Sequence, residues 1–275
     1  MQTMCMTHRL SAIGAVILFA VSAHAEGSEA RAKRVIEEAV AALGGDAFLN
    51  MTNRAESGRA YAFYREKLTG LASATIYTEY VTPRSDPHEL AVRERDSFLK
   101  SNKSDKEEYA DLFTDKEVWD ISFRGVRPLA ADRFPRYKDS VRHNIFYILR
   151  ERLHEPGMIF ESRGSDVVDN RPVEIVDITD ADDSTTTVYF DQTTKLPMRQ
   201  IFYRRNEVTH DRDEEVTIFA KYRDVSGVQW PFDIQRMRNG EIIFQIYADS
   251  VKINSNLPQS LFELPPNAPK LKEQD

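Results

Sequence analysis

Residues 228–253, VQWPFDIQRMRNGEIIFQIYADSVKI, decide the fold. Two runs rich in β-branched and aromatic residues, 228–238 and 241–253, flank Asn239-Gly240. Both central residues of a type I′ turn need positive φ, and Asn-Gly accepts it, so this stretch predicts a tight hairpin of two long strands. Upstream, the same punctuation recurs. Strands are expected at 158–167, 171–179, 185–191, 197–204 and 214–222, each ended by turn residues. Sequential hairpins of this kind form one antiparallel sheet more readily than two parallel layers.

Nearer the N-terminus the pattern persists. Residues 59–67 alternate, with Tyr61 and Phe63 on one face and Ala60, Ala62 and Tyr64 on the other. Residues 74–81 are β-branched and aromatic, and 90–99 form a charged strand. Residues 109–114 and 117–123 flank a tight turn at Asp115-Lys116, placing Trp119, Ile121 and Phe123 on one face. Two segments break the strand period. Residues 28–43 carry Val35, Ile36, Ala39, Val40 and Leu43 at helical spacing and stop at Gly44-Gly45; a short turn, 46–51, follows. Residues 134–153 carry the stripe Val141, Ile145, Ile148 and Leu149, with Phe146 at its edge, and stop at Pro156-Gly157. Lys138, Arg142, His143, Arg150 and Arg152 decorate the rest of that helix. They read as a solvated polar face or, more sharply, as a lid whose cations meet anionic head groups. The Pro- and Lys-rich segment 265–275 reads as a flexible tail.

The first 25 residues set the expected compartment. Arg9 precedes an apolar run of about a dozen residues, and Ala23-His24-Ala25 is the small-x-small pattern that signal peptidases cut after. The run is short for a membrane span. A signal peptide over 1–25 predicts an exported protein beginning at Glu26, with one domain over 26–264. Cys5, the only cysteine, lies upstream of Arg9, so the mature chain has neither a disulfide nor a thiol nucleophile. The formal net charge of −7 disfavours general nucleic-acid binding.

Most site chemistry fails on spacing. His88-Glu89 and His154-Glu155 begin a zinc-helix pattern and lack its second histidine, and Pro156 forbids the helix. Asp177, Asp180, Asp182 and Asp183, and Asp211, Asp213, Glu214 and Glu215, lack the glycine and distant glutamate of a calcium loop and read as solvated turns. Arg163-Gly164-Ser165-Asp166 lacks the second glycine of a nucleophile elbow. No metal or cofactor is expected.

Several stretches together resemble the periplasmic lipoprotein carriers and their outer-membrane lipoprotein-sorting relatives, the LolA/LolB-like family. They are Ala42 to Gly45 after the first helix, the Trp-bearing hairpin 115–123 before the inserted helix, and Asp191-x-x-Thr194-Lys195-Leu196-Pro197. The run Tyr222 to Phe232, and Val251 to Asn254 with Leu261-Phe262-x-Leu264-Pro265, complete the set. The resemblance implies a mainly β fold with few helices: an open, strongly curved antiparallel sheet, an incomplete barrel, with the N-terminal and inserted helices covering its concave face. It also implies an apolar cavity for acyl chains. Tyr61, Phe63, Trp119, Phe123 and Phe146 are the cavity candidates.

Three readings follow. The first is a non-enzymatic periplasmic carrier or chaperone whose partner is an acylated lipoprotein or lipid, with inner- or outer-membrane components as further partners. Burying about fifteen carbons contributes roughly 10 kcal/mol before ordering losses, enough for micromolar holding. The second is a cell-envelope scaffold or accessory protein with a filled core. The third is a hydrolase, which requires titratable groups converging in the cleft. A cavity of several hundred Å³ separates the first from the second.

Overall fold

The apolar stripe of the first helix folds as its spacing dictates. In the computed structural model, which describes residues 27–81, 89–99, 107–206 and 209–272, α1 spans Ser28–Leu43 and buries Ala32, Val35, Ile36, Ala39 and Leu43. A single turn, α2 (Asp46–Leu49), inserts Phe48. The signal-peptide segment 1–25 lies outside the described residues.

Thirteen strands then form one antiparallel sheet. The first six are β1 (Asn53–Tyr64), β2 (Lys67–Tyr80), β3 (Val92–Leu99), β4 (Tyr109–Phe113), β5 (Val118–Ser122) and β6 (Gly125–Pro128). After the inserted helices come β7 (Ile159–Val168), β8 (Arg171–Thr179), β9 (Thr185–Asp191), β10 (Pro197–Arg205), β11 (Arg212–Val225), β12 (Val228–Arg238) and β13 (Glu241–Ile253). Each half is a meander. The halves join where the first and last strands pair, Arg54 opposite Ile253 and Ala60 opposite Ile246, so β6 and β7 are left as the two edges. The sheet is curved and not closed into a barrel, as the sequence predicts. At the hairpin, Asn239 and Gly240 have φ of 50° and 82°.

The inserted segment is two pieces. α3 (Arg133–Arg142) ends at His143, and α4 (Ile145–Tyr147) runs on into a wider π-helical turn, Ile148–Arg152. The break is built in. The Asn144 side chain accepts from Phe146 N at 3.0 Å, while Gln200 accepts from Ile145 N at 2.9 Å and donates to His143 O at 3.1 Å. The helices cover one face of the sheet, and α1, α2 and α4 share a core with Trp230, Phe232, Phe219, Val251 and Ile253.

The segment after Pro265, expected to be loose, is docked. Val126 N donates to Pro269 O at 2.9 Å and Leu271 N to Val126 O at 2.8 Å. Leu264 and Ala268 pack with Trp119 on Ala110, Leu112, Ile121 and Val126. Gly125 (φ 137°) permits this approach: a Cβ there would sit 2.2 Å from Pro269 O.

Candidate ligand cavity

A cavity of about 380 Å³ lies between the sheet and the inserted helices. Its existence follows from side-chain size. On the covered face, the row Ala248–Gly58–Ala74–Phe98 crosses β13, β1, β2 and β3. Beside it runs Ile246–Ala60–Ala72. Ala74, in the first row, lines the cavity, whereas Gly58 is small because the β13 backbone closes on it: a Cβ there would sit 2.0 Å from Tyr247 O. One end is apolar, walled by Ile234, Ile243, Phe244 and Ile246, with Phe146, Phe219 and Trp230 behind. Phe146 is the plug: its ring is 4.9 Å from that of Phe219 and 4.8 Å from that of Trp230. Tyr137, Val141 and Tyr147 form the roof. A second, polar cleft of about 740 Å³ shares Ser140, Thr217, Arg236 and Ile243 with the first and is lined by Arg136, Asp139, Arg204, Glu215 and Arg238.

The other end of the cavity is charged. Two rows cross β1 to β5 in register: Arg54–Thr78–Glu94–Phe113–Val118, and Glu56–Ile76–Asp96–Asp111–Asp120. Arg54 is well used. It donates to Thr78 Oγ1 at 3.0 Å and Tyr80 Oη at 3.2 Å, lies 4.2 Å over the Trp230 ring and stands 3.5 Å from Glu56 Oε2. Glu56 is 1% exposed; its Oε2 accepts from Trp230 Nε1 at 3.2 Å, and its Oε1 has no partner among the described residues. Asp96 Oδ1 and the Tyr137 hydroxyl are likewise unpartnered there.

The electrostatics record this shortage. Burial raises the Glu56 carboxyl above its usual range against the pull of Arg54. Burial also raises Glu94. Asp96 is pushed well up by burial and by the neighbouring Glu94 and Asp111. Burial and Asp120 push Asp111 to about 6. Directly opposed like charges on adjacent strands destabilise a sheet, and here Asp96, Asp111 and Asp120 are opposed in succession. Of these three, among the described residues, only Asp120 has a close counter-ion, Arg127 at 2.7 Å. Among the described residues no three His, Cys, Asp or Glu side chains are grouped to hold a metal ion.

Of the five aromatic candidates, the structure brings Phe146 alone to the cavity wall. Trp119 and Ile121 face the other side of the sheet, under the docked C-terminal segment, and Phe123 is 86% exposed. Tyr61 packs edge-on against Tyr247 at 5.8 Å, on the face opposite Ala60, and Phe63 follows it there by alternation. The corrected assignment has a physical reason: a cavity is lined where residues are small, and the large aromatics mark faces that are filled. Sequence reasoning missed Arg54, Glu56, Glu94, Asp96 and Trp230.

The basic decoration of the inserted helix also differs from both expectations. Arg142, His143, Arg150 and Arg152 are turned inward. Arg152 donates to Asp180 Oδ2 at 3.0 Å and Glu155 Oε2 at 2.6 Å, and Arg142 to Glu155 Oε1 at 2.7 Å. Arg150 donates to the carbonyls of Phe48 and Met51 and lies 3.9 Å over the Tyr80 ring. Asp180, read as part of a solvated turn, is 5% exposed because the helix supplies its cations.

No family model matches the chain, and no curated protein matches it. Solved structures do. A DUF1329 family protein from Desulfovibrio piger superposes with a TM-score of 0.55 at 13% identity, over 84% of this chain and 97% of that one. A putative outer membrane lipoprotein-sorting protein domain from Vibrio parahaemolyticus superposes with a TM-score of 0.54 at 10% identity, over the same shares. The fold is LolA-like. What this chain shares with these structures is the fold. The charged rows of this LolA-like sheet are described from this chain alone.

Proposed function

We propose that this protein is a non-enzymatic carrier or chaperone of the cell envelope that holds the acyl part of a lipid or lipoprotein in the cavity beneath its inserted helix. One observation carries the reading: the cavity of about 380 Å³, which falls within the size range of ligand sites and has an apolar end built by Ile234, Ile246, Phe146 and Phe219. A filled-core scaffold has no use for a residue as small as Ala74 at the cavity wall. The LolA-like fold and the expected export signal support a periplasmic location. Each buried CH₂ contributes about 0.8 kcal/mol, so chain length sets affinity and no covalent step is needed.

A second reading rests on the same cavity. Buried titratable groups do converge there, the condition set for a hydrolase. The carrier reading is preferred because the hydroxyls at the wall, those of Thr78, Ser140, Thr217, Tyr80, Tyr137 and Tyr147, have no histidine beside them in the lining. One experiment addresses both. Native mass spectrometry of the protein isolated from its own envelope, followed by lipid extraction, should show an added mass that leaves as an intact amphiphile. Recovery of cleaved fragments supports the hydrolase, and a bare polypeptide after gentle isolation counts against a carrier.

A further inference from the structure

The cavity's charged end is more specific than an acyl-chain site requires. Glu56, Glu94 and Asp96 all line it, against two guanidinium groups. One of these, Arg54, gives its Nη donors to Thr78 and Tyr80 and its face to Trp230, and its Nε, without a hydrogen bond among the described residues, stands 3.5 Å from Glu56 Oε2. The other, Arg236, is exposed and stands at the boundary with the polar cleft. Beyond Asp96, Asp111 adds a further carboxylate directly across the ladder, pushed up by burial and Asp120 against the pull of Arg133. The acids are also framed by rings. Phe113 lies across from Glu94 and stacks on Tyr137 at 4.1 Å; Phe98 is two residues from Asp96 on the same face and stacks on Tyr109 at 4.8 Å. Carboxylates with a free, buried acceptor, set among aromatic faces, are the chemistry that recognises an ammonium group.

We propose that the cavity selects an amphiphile with a cationic amine at its polar end, held by Glu56 and Asp96 among Phe98, Phe113 and Tyr137, with its hydrocarbon chain running toward Ile234 and Ile246. This deepens the carrier reading and rests on it. The unpartnered Oε1 of Glu56, a side chain 1% exposed, is the second and independent observation beyond the acidic cluster. An ammonium there supplies the missing donors and the missing positive charge. A carboxylate head group meets neither need, because it brings a further acceptor and a further negative charge to Glu56, Glu94 and Asp96.

The test compares dodecylammonium, dodecanol and dodecanoate on delipidated protein by isothermal titration calorimetry at pH 7.5. Dodecylammonium should bind at least about tenfold more tightly than either competitor. The isosteric variants Glu56→Gln and Asp96→Asn should each reduce that preference, and together abolish it, while dodecanol affinity stays the same. Asp249→Asn, an exposed control, should leave all three affinities unchanged. Thermal melting confirms that each variant is folded. Equal binding of all three amphiphiles, or a preference that survives the double variant, overturns the amine site and leaves the carrier reading standing. Failure of all three to bind overturns both.

Discussion

The molecule buries two clusters of charge, and they are opposites. In the first, under the inserted helices, Arg142, Arg152 and His143 meet Glu155, Asp139 and Asp180. Both oxygens of Glu155 accept from arginine; Asp180 accepts from Arg152 and from the backbone of Asp182 and Ser184. Burial opposes ionisation here, yet the His143 ring 3.5 Å away and the hydrogen bond from Arg152 hold Asp180 well below the usual carboxylate range, and Arg152 and Arg142 hold Glu155 low. In the second cluster, at the cavity, every shifted carboxyl moves the other way. Glu56, Glu94, Asp96 and Asp111 are all raised, first by burial. The difference teaches how to tell a brace from a site. A paired network fixes the helix on the sheet; an underpaired one costs stability and is retained where a ligand completes it.

The largest effect should come from breaking the paired cluster. Arg152→Leu leaves Asp180 and Glu155 buried without their main partner. It should lower stability by about 3–5 kcal/mol in urea unfolding. A loss below about 1 kcal/mol would make the network ornamental and erase the contrast.

The opposite sign is expected at the cavity. Asp111 is pushed to about 6 against an ordinary value of 3.8, so between these pH values the folded state holds more protons than the unfolded one. Stability therefore rises as pH falls from about 7 toward 4. His143, raised by the adjoining carboxylates of Asp139 and Asp180 against burial, adds in the same direction, since its contribution is complete below 6.5 and lost as pH climbs. Asp180 and Glu155, held low, lose their contributions as pH falls below their ordinary range. Asp111→Asn should raise stability at pH 7 by about 1–2 kcal/mol, discounted because the group retains some solvent contact, and flatten the rise toward pH 5. Unfolding curves at pH 5 and pH 7 check both statements; a destabilised, equally pH-dependent variant would contradict them.

A smaller, charge-free change sharpens the contrast. Gly240→Val places a β-branched residue at φ 82°, where a Cβ meets nothing within 4 Å, so only backbone strain is introduced. A loss of about 1 kcal/mol, the same at both pH values, is expected. A pH-dependent loss would show that the electrostatic reading of Asp111 is not isolated from general destabilisation.

Much of this architecture is legible in the sequence, and the legible part is local. The strands 171–179, 185–191, 228–238 and 241–253 and the helix 28–43 are bounded by residues whose chemistry ends an element at that place: Gly44-Gly45, Asp191 with Thr194, Asn239-Gly240. The cavity and its charges depend on pairing between distant strands. Nothing near Asp96 announces that Asp111 and Ile76 will face it, and nothing near Arg152 announces Asp180. The aromatic rule also misdirects: it selects Trp119 and Tyr61, which fill the opposite face, over Ala74, which leaves room.

The central claim is that this room is a binding site, and the emission of Trp230 tests it most directly. Trp230 sits at the cavity wall between Arg54 and Phe146, whereas Trp119 lies on the other face, so a Trp119→Phe background leaves one reporter. Titrating delipidated protein with dodecanol or an acylated peptide should shift that emission saturably, with one site per chain. Ala74→Leu, which fills the space from the floor, should abolish the shift without lowering the melting temperature. A flat titration, or an identical one in Ala74→Leu, would contradict the account.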